Sequence, residues 1–86
     1  MSQELERIAA DRAEEAVYYD RIGQKAKAVK VYREVIEILW RLYGLTSDPS
    51  LRRVYQEKIR EYRERIEALT SDSQPINTNT KIALGD

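Results

Sequence analysis

Residues 24–43 read QKAKAVKVYREVIEILWRLY, and their pattern decides the fold. Wound as an α-helix, Ala28, Val29, Val31, Tyr32, Val35, Ile36, Ile38, Leu39, Trp40, Leu42 and Tyr43 cover more than half of the circumference. Lys27, Lys30, Arg33, Glu34, Glu37 and Arg41 keep to the remainder. An ordinary surface helix buries one apolar stripe of roughly 100°, so a helix this apolar needs a neighbour on two sides. One amphipathic segment precedes it and one follows. The sequence therefore predicts an all-α fold, a three-helix bundle with helices at about 3–21, 24–43 and 49–70 and this segment in the middle.

In the first helix, Leu5, Ala9, Ala13, Ala16 and Val17 recur at three- and four-residue steps, with Ala10 widening one flank. Alanine permits close backbone approach or leaves a shallow floor. Ile8 and Tyr19 are placed to pack on the middle helix. Gly23 is positioned to end the first helix with a positive φ, and the short link to Gln24 makes the first two helices antiparallel. Gly44 is read as the stop of the middle helix. Asp48-Pro49 marks the third helix start, Asp48 capping free N–H groups and Pro49 taking the first helical position, where a missing N–H does no harm. Tyr55, Ile59, Tyr62, Ile66 and Leu69 then form a narrow seam, which Leu51 extends by one turn. Outside that seam the third helix is almost wholly charged. Residues 1–70 are thus expected to form the domain. Residues 71–86, SDSQPINTNTKIALGD, have no helical period and read as a flexible tail.

Composition removes whole classes of function. Fifteen Lys and Arg balance fifteen Asp and Glu, so no net charge favours nucleic acid or an anionic membrane surface. With no cysteine and no histidine, thiol nucleophiles, Cys-type zinc sites and the commonest general base are all missing. The start lacks the apolar core of a signal peptide, and no apolar run approaches the roughly 20 residues of a membrane span. A cytoplasmic protein that inserts in no membrane is expected. The three isolated glycines make no phosphate-cradling loop. Carboxylate pairs such as Glu57 and Glu61 read as solvated helix surface. The chain is expected to have no catalytic residues, no metal and no cofactor.

The pattern A‑x₂‑YYD‑x₂‑G‑x₄‑AVKVY‑x₂‑VIEIL, followed by DP‑x₂‑RRVYQEKIREYRERIEAL, resembles the microtubule-interacting and trafficking (MIT) domain. Ala16, Asp20, Gly23, Ala28, Tyr32, Ile36, Leu39, Asp48, Pro49, Tyr55, Lys58, Ile59, Tyr62, Arg65 and Leu69 carry the likeness across residues 4 to 70. Lys25 departs from it, since the family commonly has an aromatic residue there. The resemblance implies a first hairpin like a tetratricopeptide repeat. It also implies a monomeric adaptor that binds short motifs in the tails of ESCRT-III-like subunits and recruits a downstream machine. A domain of this kind before a polar linker is most like the leader of the AAA ATPase that disassembles ESCRT-III filaments. The composition suits the archaeal branch, where the related system serves cell division. Severing ATPases, calpains and kinases carry such domains too. A structural module that self-associates through the Tyr55–Leu69 seam is the rival from another class.

Two grooves are known in the family. In one mode an extended, proline-containing peptide lies between helices 1 and 3, which implies contact with Glu6, Ala10, Ala13 and Val17 and with Val54, Lys58, Glu61 and Arg65. In the other an amphipathic helix lies between helices 2 and 3, beside Gln56, Arg60, Arg63, Glu64 and Glu67. Arg63 stands where the family's best examples place a leucine. Burying a ligand leucine against a guanidinium loses apolar area and desolvates a charge. The first groove is therefore the favoured expectation. The plainer alternative is that Ala10 and Ala13 pack tightly on the third helix and leave no groove.

Overall fold

A computed structural model describes residues 2–72 as three helices, α1 (Ser2–Arg21), α2 (Lys25–Leu45) and α3 (Pro49–Asp72), with no strand among the described residues. The chain turns out of α1 at Gly23, whose φ of 82° lies in the left-handed region that favours glycine. Gln24 N–H donates to the Tyr19 carbonyl at 2.9 Å and Gly23 N–H to the Asp20 carbonyl at 3.2 Å. This pair of bonds satisfies carbonyls that the helix end would otherwise leave open.

Gly44 does not stop α2. It takes no positive φ and sits inside the last turn, and the helix ends only where Thr46 becomes extended at φ −113° and ψ 145°. The start of α3 follows expectation: Asp48 Oδ1 accepts the Ser50 N–H at 2.9 Å, and Pro49 is the first helical residue. At its other end α3 runs past residue 70 to Asp72. Buried Leu69 anchors that turn, and the Thr70 hydroxyl donates to the Ile66 carbonyl at 2.8 Å. The expected flexible tail otherwise lies outside the described residues.

The core is split along α2. Ala9, Val35, Leu39, Leu42, Tyr55 and Ile59 form one cluster. Ala16, Ala28, Val31, Tyr32 and Leu69 form the other. Tyr62 packs against both and stacks on Tyr32 at 5.5 Å between ring centroids. Leu42 and Val35 are only 2% and 1% exposed, and burying each such side chain contributes roughly 1.5–3 kcal/mol.

Three apolar residues depart from their expected burial. Ile8 is exposed because Glu4, Asp11 and Glu15 share its face of α1, which points away from both partners. Leu51 lies one turn beyond the end of the α3 seam and is also exposed. Trp40 is 46% exposed, at the border of the apolar arc of α2.

Both outer helices pack closely on α2, whereas α1 and α3 scarcely approach one another along their backbones. The middle helix therefore holds a gap open between its two partners.

Candidate functional site

Val35, Leu39 and Leu42 of α2 form the floor of that gap. Ala9, Ala10 and Ala13 line it from α1, and Val54, Tyr55, Lys58 and Tyr62 from α3. Together with Glu6 these side chains enclose a shallow, mostly apolar cavity of about 190 Å³. The alanines thus leave a groove where larger side chains would have filled it.

Polar side chains cross the gap at two levels. The Tyr55 hydroxyl donates to Glu6 Oε2 at 2.7 Å. Burial, and then the Glu6 carboxylate, push the phenol up to about 12. Further along, Arg65 donates to both oxygens of Asp20 at 2.8 Å, and the Tyr32 hydroxyl adds a third bond at 2.9 Å. The Arg65 hydrogen bond holds the Asp20 carboxyl below its usual range, against the opposing effect of burial. Burial and the Asp20 carboxylate push Tyr32 up to about 12.

Of the residues expected in this groove, Glu6, Ala10, Ala13, Val54 and Lys58 line the cavity. Glu61 pairs with Lys58 at 3.5 Å on the rim. Val17 lies further along α1, in a separate hollow with Ala13, Glu14, Tyr18 and Arg21. Arg65 is engaged with Asp20 rather than turned into the cavity.

The opposite side of α3 forms a second groove against α2. Gln56, Arg60, Arg63, Glu64 and Glu67 all line it, with Trp40 and Ile59, around about 410 Å³. An adjoining hollow of about 380 Å³ continues it past Ile36, Ile66 and Thr70, sharing Arg63 and Glu67. This groove is larger than the first, and Arg60, Arg63, Glu64 and Glu67 place charged groups around its Trp40 and Ile59 surface.

The family model of the MIT (microtubule interacting and transport) domain matches residues 7–71, which takes in nearly all of the three helices. The chain belongs to the MIT domain family. It is also 41% identical over 75 residues to mouse Calpain-7, a match that covers 87% of this chain and 9% of Calpain-7. The chain thus spans less than a tenth of the length of that curated relative. No solved structure matches it. MIT domains are non-catalytic helical interaction modules that bind peptide motifs of partner proteins. Among the described residues of this one, no helix is long and apolar enough to cross a membrane.

The residue that sequence reasoning missed in this MIT domain is Trp40, assigned to the covered face of α2. A signal was present: Trp40 follows Arg33 by seven positions and Glu37 by three, which puts it on their helix face. Its ring meets Tyr43 edge-on at 5.4 Å, and the Arg52 guanidinium lies 4.1 Å from the centre of the Tyr43 ring. Those contacts hold Trp40 where it lines the second groove. The Tyr55–Glu6 and Arg65–Asp20 bridges had no local signal, because their partners lie 49 and 45 residues apart.

Proposed function

We propose that this MIT domain is a monomeric, non-catalytic adaptor in the cytoplasm. It holds a short, extended, proline-containing motif from the tail of an ESCRT-III-like subunit in the gap between α1 and α3. The observation that carries this reading is the lining of the gap, three alanines on one wall and Val54 with the Tyr55 and Tyr62 rings and the Lys58 side chain on the other, over an aliphatic floor. The alanine wall and the aliphatic floor offer no hydrogen-bonding partner to an extended backbone, and an unmatched N–H in an apolar groove is costly. Proline has no N–H and arrives already stiffened in the polyproline conformation, which lowers the entropy lost on binding. Glu6 at one end and the Lys58–Glu61 pair at the rim supply charges of both signs for the motif's polar residues.

The adaptor brings whatever catalytic unit is joined to it onto the filament. An AAA ATPase that disassembles ESCRT-III filaments in cell division or membrane remodelling, of archaeal type, is one such host. The likeness to mouse Calpain-7 supports a protease as the host instead. The role of the domain is the same in both.

Exposed Trp40 favours a second reading, in which an amphipathic helix lies on the α2/α3 groove. Titration with a proline-containing ESCRT-III tail peptide separates the two. Ala13→Asp abolishes binding in the first reading while helicity is retained, exposed Ala10→Asp acts alike, and Arg63→Ala has little effect. Unchanged affinity in both aspartate variants overturns the assignment. Chemical-shift changes concentrated on α2 and residues 56–67 place the ligand in the second groove.

A further inference from the structure

The two grooves meet the end of α3 differently. The cavity between α1 and α3 stops at Ala13 and Tyr62. Beyond it Ala16 is wholly buried and Arg65 crosses to Asp20 at 2.8 Å, so this groove is shut on the side where the chain leaves α3. The groove between α2 and α3 stays open there. Its two hollows join at Arg63 and Glu67, and one of them reaches Thr70, one turn from the end of α3 at Asp72. Residues 73–86 therefore leave α3 at the mouth of this groove. Inside it the apolar surface is incompletely covered, with Trp40 46% exposed beside Ile59.

The stretch SQPINTNTKIALGD at 73–86 suits that surface. Ile82 and Leu84 are two apart, so an extended chain turns both to one side. Pro75 and Asn77 favour a reversal of direction. With the reversal made over residues 73–77, an advance of about 3.3 Å per residue puts Lys81, Ile82 and Leu84 about 13, 16 and 23 Å back along α3. At about 1.5 Å per helical residue, Glu64 lies about 12 Å back from Asp72 and Ile59 about 20 Å. The two apolar side chains thus bracket Ile59 beside Trp40, and Lys81 falls level with the Glu64 carboxylate. Arg60 and Arg63 line the same groove and can donate to carbonyls of the returning backbone. We propose that residues 78–84 fold back into the α2/α3 groove and cover Trp40, so that any partner for this groove must displace the chain's own segment. A tether this short gives an effective concentration on the order of millimolar, which keeps even a contact of few residues occupied. The gap between α1 and α3 stays free for its own ligand in this arrangement.

Trp40 is the chain's one tryptophan, so its emission reports on this groove directly. Replacing both apolar residues of the segment, Ile82→Ser together with Leu84→Ser, leaves α1, α2 and α3 and their core untouched. In the full chain this double variant is expected to shift the emission to the red and to raise the acrylamide quenching constant about twofold, as the ring loses its cover. Amide spectra of the wild type and the double variant are expected to differ at Ile36, at Arg63 and at the Trp40 indole N–H. Unchanged emission and quenching in the double variant overturn the proposal. Spectral differences that fall on Ala10 and Val54 instead also overturn it, since they place the segment at the α1/α3 gap. Differences that grow with protein concentration overturn it as well, because the occupant is then a second copy of the chain.

Discussion

The Asp20 carboxylate accepts hydrogen bonds from α2 and α3 while belonging to α1, so one side chain ties all three helices. Its folded pKa is lowered, chiefly by Arg65. A depressed carboxylate stabilises the fold above its unfolded pKa, and that contribution is lost as pH falls through the lower folded value. Asp20→Asn is therefore expected to destabilise the domain at neutral pH by about 1–2 kcal/mol, a figure held down by the half-exposed guanidinium. The difference should shrink as pH falls through the depressed folded value of Asp20. Thermal melts of both proteins at neutral and strongly acidic pH check this, and a difference independent of pH would count against it. In the sequence Asp20 stands out only as one of the residues that carry the MIT resemblance. Its actual partner, Arg65, is distant in the chain, and only the spacing between α1 and α3 brings the two together.

At the scale of the helix, Gly23 and Gly44 look alike in sequence and behave in opposite ways. A side chain at either would meet nothing within 4 Å, so conformation alone decides the outcome. At φ 82° an alanine is strained, and Gly23→Ala should destabilise by about 1–2 kcal/mol. Within a regular helical turn an alanine is preferred, and Gly44→Ala should stabilise by up to about 1 kcal/mol. Chemical denaturation of the two variants measures both signs, and two changes of the same sign would contradict the account. Element ends were legible wherever the chemistry was local. Asp48 caps its own helix two residues on, and Gly23 closes the helix that runs into it. Gly44 was misread because glycine also fits inside a helix. Whether it terminates one depends on the direction the chain must next take.

For the whole molecule, the three helices and the central place of α2 followed from its wide apolar arc, which no single partner could cover. The openings left by that packing were harder to read. Ala10 and Ala13 fit a tight contact as well as an open groove, and the choice turns on how far α2 separates its partners. Trp40 illustrates the same difficulty on the other flank. It lies at the edge of an arc, where a few degrees of helix rotation decide between core and surface.

That arrangement also bears on how quickly the chain assembles. Each extensive contact joins helices adjacent in sequence, α1 with α2 and α2 with α3, through turns of only a few residues. Little chain must be closed into a loop before packing repays the lost entropy. Helical domains with such local contact maps fold in about microseconds to milliseconds. Refolding from denaturant should accordingly finish largely within the dead time of a stopped-flow mixer and be resolved by temperature jump. A dominant phase slower than about a second would show that the two outer helices must find each other before α2 can set them in place.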